Sequence, residues 1–293
     1  MNYQSANEAK ATFDEVYHAA TPHAYYGEMD RHGYAIGEEA KPFFLAAIDH
    51  LRETNPDGLH PRFLDLGCSY GVGAALVKHD LRYRELSAFF AREAPRDFTA
   101  CTDLAGDWFA ARSRLRDVTC VGLDASSAAL RFAEAAGLLC GGIAKNFEAD
   151  EKPDTAERAM LRDCNLLFST GAIGYVGEKT LGVILEQLGR SYPENAAPLI
   201  VVTILRVFNP RPISNCFESF RFRFEKVPGV CLRQRRFTDA TEQRETLTLL
   251  RGRGVDTAAR ESEGLLYADL YVGARGSDFE PFFEKIKNVS TND

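Results

Sequence analysis

The stretch Phe63-Leu64-Asp65-Leu66-Gly67-Cys68-Ser69-Tyr70-Gly71-Val72-Gly73 decides how this chain is read. Arg62 to Leu66 is short, apolar and followed by turn residues, as a buried strand is. Gly67 to Gly71 reads as a tight turn, and Val72 to Val77 as the start of a helix. Glycines after a parallel strand let the backbone pass close to a bound ligand. The helix that follows presents unpaired N–H groups in its first turn. Asp65, at the strand end, suits a bound ammonium or an ordered water. The spacing GxxxGxG fits pyrophosphate poorly, which argues against a dinucleotide fingerprint.

Outward from this stretch, Val121-Gly122-Leu123-Asp124-Ala125-Ser126 places a second acid at a second strand end. Its two oxygens can accept from both hydroxyls of a ribose. The alternative is an aspartate that only caps a helix. Ser126 is itself a good N-cap for the helix carrying Leu130, Ala133 and Leu138. Gly142-Ile143-Ala144, Cys164 to Phe168 and Leu199 to Leu205 continue the strands, and Lys179 to Leu188 reads as a helix. Such alternation predicts a mostly parallel sheet covered on both faces.

Between the first two strands, residues 80–117 carry two amphipathic helices, one with Leu86, Phe89 and Phe90, the other with Leu104, Trp108, Phe109 and Leu115. Upstream, Phe43, Phe44, Ala47, Ile48 and Leu51 have helical spacing over 37–53, with Pro42 in the first turn. Asn55-Pro56-Asp57-Gly58 then breaks the chain. In the last third, Phe220-Arg221-Phe222-Arg223-Phe224 alternates and Val227-Pro228-Gly229 is turn-like, which predicts an antiparallel hairpin. Thr241 to Leu250 follows as a helix and Leu265 to Val272 as a late strand. The resulting organisation is a helical lid over 1–36, an α/β domain over 37–276 with insertions at 80–117 and 209–237, and a peripheral tail over 277–293, frayed from Asn288. The lid rests on the aromatics Phe13, Tyr17, Tyr25, Tyr26 and Tyr34. Of these, Tyr25 and Tyr26 are candidates to face a substrate, and the alternative is helices held to the domain by their rings.

The two strand–acid strings resemble class I S-adenosylmethionine-dependent methyltransferases. That resemblance implies a doubly wound, Rossmann-like α/β fold with a seven-stranded sheet and helices on both faces. It also implies S-adenosylmethionine as cofactor. Asp65, Gly67, Ser69, Gly71, Asp124 and Ala125 match the family's cofactor positions. Asn146 and Phe147, after the third strand, match a polar side chain for the adenine amino group and an apolar neighbour against the ring. Ser169, Thr170 and Tyr175 fall on the loop that borders the reactive methyl group. There the Tyr175 ring could face a sulfonium, whose charge an aromatic face attracts, or it could be a core tyrosine. In the family the ribose acid follows the glycine turn by about twenty residues. Here the two inserted helices lengthen that gap.

No NPPY or DPPY string is present, and His79 is the only histidine near a sheet-edge loop. A neutral nucleophile, weakly assisted by Ser169, Thr170 or Tyr175, therefore fits best, and methyl transfer to N or O of a small molecule is the expected reaction. The N-terminal stretch Tyr17-His18-Ala19-Ala20-Thr21-Pro22-His23-Ala24-Tyr25-Tyr26, together with Leu66 to Val72, is similar to a bacterial subfamily of specialised metabolism that includes azetidine-2-carboxylate synthases. That likeness implies an alternative, in which the cofactor's own α-amine attacks its γ-carbon and methylthioadenosine leaves. Tyr175, Thr203, Asn146 and Asn209 are the type-compatible residues for such a site. Cofactor binding without catalysis is a third reading.

The chain has 293 residues, 45% hydrophobic and 26% charged, so a core can form without staples. A net charge of −7 argues against nucleic acid as a partner. Arg221 and Arg223, with Arg233, Arg235 and Arg236, form either a solvated face or a docking patch for an anion or a carrier protein. Seven cysteines without a CxxC pair point to reduced thiols in a cytoplasm. The six histidines lack metal-ligand spacing, so no metal is expected. Neither a signal peptide nor a membrane span is readable.

Overall fold

The computed structural model describes residues 14–55, 60–79, 81–92, 97–188 and 198–289. Phe13, the break at Pro56 to Gly58 and the last four residues lie outside them.

Seven strands form one sheet in the order β3-β2-β1-β4-β5-β7-β6. They are β1 (Arg62–Leu66), β2 (Thr119–Asp124), β3 (Gly141–Ala144), β4 (Leu166–Ile173), β5 (Leu199–Leu205), β6 (Arg223–Arg236) and β7 (Leu265–Ala274). The first five pair in parallel, and β7 enters antiparallel between β5 and β6. This is a doubly wound, Rossmann-like α/β sheet. β1 is almost wholly buried and every residue of β5 is buried, as strands covered on both faces must be. Helix Ile36–Thr54 packs on one face through Phe44, whose ring stacks on Phe168 of β4 at 4.3 Å between centroids. Pro42 lies in the second turn of that helix, later than its sequence position suggested, so the Glu38 carbonyl lacks its helical donor.

The order of the strands explains where a ligand can sit. The chain leaves β1 toward β2 and β3 on one side, and returns to β4 and β5 on the other. Ligands of open α/β sheets bind outside the carboxyl ends of the strands at such a switch point. β1, β2 and β4 end here on Leu66, Asp124 and Ile173.

Three sequence expectations are corrected. The hairpin over 209–237 does not form. A helix, Arg211–Ser219, occupies its first part, and 223–236 is one long strand against β7. The helix ends by a left-handed residue at Arg221 (φ 64), with Phe222 N–H bonded back to Phe217 O, so the apparent period of two at 220–222 is a helix stop. Pro228 and Gly229 fall where the β6–β7 register shifts, which makes a bulge of what reads as a turn. Nor is the tail peripheral. Phe279–Lys287 is a helix that buries Phe279, Phe282, Phe283 and Ile286 against the domain. Finally, β4 runs on through a bulge to Ile173, taking in residues expected in a loop.

Candidate active site

A cavity of about 320 Å³ opens at the carboxyl ends of β1, β2 and β4, lined from below by Asp65, Gly67, Ser69, Asp124, Thr170 and Gly171. Its floor is the glycine turn. Gly67 (φ 74) donates its N–H to Leu123 O at 2.8 Å, and a Cβ on it would stand 2.4 Å from Cβ of Ala172. Gly73 is required by Asp65, because a Cβ there would lie 2.4 Å from Oδ2. Gly71 (φ 77) is explained differently from the expectation of ligand approach. A Cβ on it would meet Leu138 and Ala133 at 3.0–3.2 Å, and the residue is not part of the lining.

Two acids line this floor, Asp65 buried and Asp124 partly buried. Burial, then the nearby Asp124 charge, pushes the Asp65 carboxyl up to about 7, while the Ala74 N–H opposes the shift. Asp124 is also raised by burial, against the backbone N–H groups of Ser126 and Ser69 that hold it ionised. The Ser69 N–H donates to Oδ2 at 2.8 Å and the Ser126 N–H to Oδ1 at 2.9 Å. The helix N-cap is Ser126, whose Oγ accepts from Ala129 N–H, so Asp124 is not the capping residue.

At the β3 side, Asn146 and Phe147 both line the cavity. Asn146 Oδ1 accepts the Glu148 N–H at 3.1 Å, and Phe147 is buried. Glu148 Oε1 accepts the N–H groups of Gly177 at 2.9 Å and Thr180 at 3.0 Å, pinning this loop to the start of helix Glu178–Gln187.

The roof comes from the N-terminal segment. Tyr17, His18, Tyr25, Met29 and Tyr34 line the cavity from above. Tyr70 of the glycine turn places its hydroxyl 2.7 Å from Ala19 O and 2.9 Å from Val16 O, and Ser126 Oγ donates to Tyr17 O. The hydroxyls of Tyr34 and Thr170 are hydrogen-bonded, and burial holds the Tyr34 phenol up at about 12. Tyr26 does not line the cavity. It stacks on Phe90 of the inserted helix Tyr83–Arg92 at 4.7 Å. The described residues of 80–117 are not part of the lining, and Phe90 among them supports the roof through Tyr26.

Solved structures similar to this chain include S-adenosylmethionine-dependent methyltransferases. The plantazolicin methyltransferase BamL, in complex with a triazolic desmethylPZN analog and SAH, has a TM-score of 0.42 at 10% identity over 93% of this chain and 99% of its own. A TehB-like SAM-dependent methyltransferase from Corynebacterium glutamicum has a TM-score of 0.37 at 10% identity, over 79% of this chain and 88% of its own. The [4+2]-cyclase SpnF has a TM-score of 0.36 at 14% identity, over 80% of each chain. No protein-family model and no curated sequence matches.

Among the expected site residues, Asp65, Gly67, Ser69, Asp124, Ala125, Asn146, Phe147, Thr170, Tyr175 and Tyr25 meet at the cavity. Tyr175 is 45% exposed, so it is not a core tyrosine. Ser169 and Thr203 are fully buried behind the lining. Ser169 Oγ donates to Leu66 O at 2.9 Å, and Thr203 Oγ1 accepts the Gly171 N–H at 3.2 Å. Asn209 is exposed outside the lining, with Oδ1 accepting the Arg211 N–H.

Sequence reasoning missed Gln234 and Arg235. Alternation along β6 predicts that one of two neighbours points outward, but a register shift between Arg233 and Arg235 turns both inward, and both line the cavity. Arg235 makes a buried two-pronged bond to Glu242 at 2.6 and 2.9 Å. Arg233 pairs with Glu39, and Arg223 with Glu225 and Glu280. These three arginines are therefore charge-compensated, and Arg235 is no part of a solvated face.

Among the described residues, the buried polar atoms left without a hydrogen-bond partner include Asp65 Oδ2, Ser69 Oγ and Gln234 Oε1, whose residues line the cavity; others, such as those of His50 and His79, lie away from it. Unpaired buried polar groups are costly and uncommon. The three at the cavity fit a polar ligand that supplies the missing partners.

Proposed function

We propose that this chain is an S-adenosylmethionine-dependent enzyme acting on a small molecule, and that its reaction is methyl transfer to an N or O nucleophile. The observation that carries the reading is the pair Asp65 and Asp124 at adjacent strand ends, above a glycine turn, in a cavity with unpartnered polar atoms. Asp124 keeps lone pairs for two ribose hydroxyls beyond its two backbone bonds. Asn146 Oδ1 likewise has a second lone pair for the adenine amino group, with Phe147 against the ring. When bound, the sulfonium supplies an activated methyl group. The chain's own part is to orient the ligand, to exclude water beneath the tyrosine roof, and to set the Tyr175 ring beside the cation. Ser169 and Thr203 act from behind the lining by fixing the backbone of β1 and β4. A small-molecule acceptor fits this enclosure, and Arg223, Arg233 and Arg235 of β6 are already ion-paired within the chain.

A second reading is intramolecular cyclisation of S-adenosylmethionine to azetidine-2-carboxylate, with methylthioadenosine released. The cavity volume favours it, for about 320 Å³ lies at the low end of small-molecule pockets. A roof tied down by Tyr70 and Ser126 also leaves little space for a bulky second substrate. Incubating the purified protein with S-adenosylmethionine alone, followed by mass spectrometry, separates the readings. Methylthioadenosine together with a cyclic amino acid establishes cyclisation. An intact cofactor, turned over to S-adenosylhomocysteine once small amines or alcohols are added, establishes methyl transfer. Binding without turnover in either arm leaves a non-catalytic binder.

A further inference from the structure

We propose that Gln234 is a ligand-contacting specificity residue whose side-chain oxygen accepts a hydrogen bond from an ammonium group at the amino-acid end of the bound nucleoside. This rests on the cofactor reading above and assigns a residue to it from β6, a strand outside both acid motifs.

Three features of the fold converge on this side chain. The bulge in β6 turns it inward, where it is 6% exposed and lines the cavity. Its amide lies over the bare backbone of Gly171, where a Cβ would come within 2.6 Å of Nε2 and 3.3 Å of Oε1. Gly171 also has φ 72, a conformation that favours glycine, so the position beneath the amide is kept clear. The main chain is then fixed to the roof, with Ala35 N–H donating to Gln234 O at 3.0 Å and Arg236 N–H to His32 O at 2.7 Å. A main chain held this firmly carries a buried side-chain acceptor that no described residue satisfies, which suits it to receive a donor.

The sheet order says which end of the ligand that donor belongs to. β2 and β3, with Asp124 and Asn146, lie on one side of β1, and β4, with Gly171 and Gln234 over it, lies on the other. A nucleoside whose ribose and base occupy the β2–β3 side therefore directs its 5′ substituent across Asp65 toward Gln234. The charge there suits an ammonium. Asp65 lies along the same path, and the positive charge of neighbouring Arg235 is matched by Glu242. The carboxamide oxygen is an acceptor with lone pairs to offer such an ammonium.

The test is calorimetric titration of two probes, S-adenosylhomocysteine and 5′-methylthioadenosine, which share the thioadenosine and differ in the amino-acid end. They are titrated into the wild-type protein, Gln234→Met and Gln234→Glu, with thermal melts as a control for folding. Gln234→Met is expected to weaken S-adenosylhomocysteine about tenfold or more and to leave methylthioadenosine within about twofold. Gln234→Glu, which keeps an acceptor, is expected to hold S-adenosylhomocysteine within about threefold of wild type. Equal weakening of both probes by Gln234→Met, or weakening of neither, overturns the assignment while the cofactor reading stands. A wild-type protein that binds neither probe overturns the cofactor reading and this assignment with it.

Discussion

Oδ2 of Asp124 accepts the backbone N–H of Ser69 at 2.8 Å, tying the end of β2 to the glycine turn after β1. Ser69 has φ 49, unusual for a residue with a side chain, and this bond helps to hold it there. Asp124 thus shapes the turn as well as facing the cavity. Asp124→Asn keeps one acceptor oxygen and the side-chain volume, while Asp124→Ala keeps neither. The alanine variant is expected to lose about 1–3 kcal/mol of stability, and the asparagine variant clearly less. Urea denaturation of both variants checks this. Equal stability of wild type and Asp124→Ala would mean that the turn holds itself.

Asp65 gives stability a pH dependence with a definite sign. Its carboxyl is raised to about 7 in the folded chain, so between about pH 4 and 7 the folded state binds more protons than the unfolded state. Stability therefore falls as pH rises through that window, by at most about 1.4 kcal/mol per pH unit, and the contribution is flat above it. Asp65→Asn removes this component. Denaturation of both proteins at pH 5, 6, 7 and 8 is expected to show the stability difference widening with pH in favour of the variant. A difference independent of pH would show that Asp65 is ionised throughout.

Both acids, the glycine turn and the five parallel strands were legible because each is a local pattern: an apolar run, then turn residues, then a helix start. Asn146 and Phe147 were picked out by resemblance to the family's position after the third strand, and both line the cavity. What escaped the sequence was non-local. Gln234 and Arg235 face inward through a bulge whose register is set by β7, more than thirty residues later. Glu148 acts as an acceptor for backbone N–H groups at Gly177 and Thr180, across a whole helix and strand. Phe279 to Ile286 reads as a tail until helix Ile36–Thr54 is there to cover it. The helix stop at Arg221 imitates strand alternation because exposed Arg221 falls between Phe220 and Phe222, which both pack against the core.

Gly71 separates packing from ligand approach. Its left-handed conformation and its contacts with Leu138 and Ala133 predict that Gly71→Ala costs about 1–3 kcal/mol of stability. The folded fraction is expected to bind S-adenosylhomocysteine with affinity near wild type. Thermal melts and calorimetry together check it. An unchanged melting temperature with lost binding would return Gly71 to the ligand surface.

Tyr175 is the one large hydrophobic side chain strongly exposed among the described residues, and it lines the cavity. If its ring face holds the sulfonium, Tyr175→Phe retains most turnover and Tyr175→Ala loses it. The account predicts this outcome, measured as cofactor consumption. Loss of about 10²-fold in both variants would assign the work to the hydroxyl instead. Near-normal turnover in both would place the reacting carbon elsewhere.

The central claim is that the cavity between Asp65 and Asp124 binds the cofactor, and calorimetric titration of S-adenosylhomocysteine into the wild-type protein and Asp124→Asn tests it most directly. The account predicts saturable one-to-one binding to the wild type. It also predicts affinity lower by about tenfold or more in a variant that remains folded, as the charge-assisted ribose contacts weaken. No binding to the wild type, or the same affinity in both proteins, would contradict it.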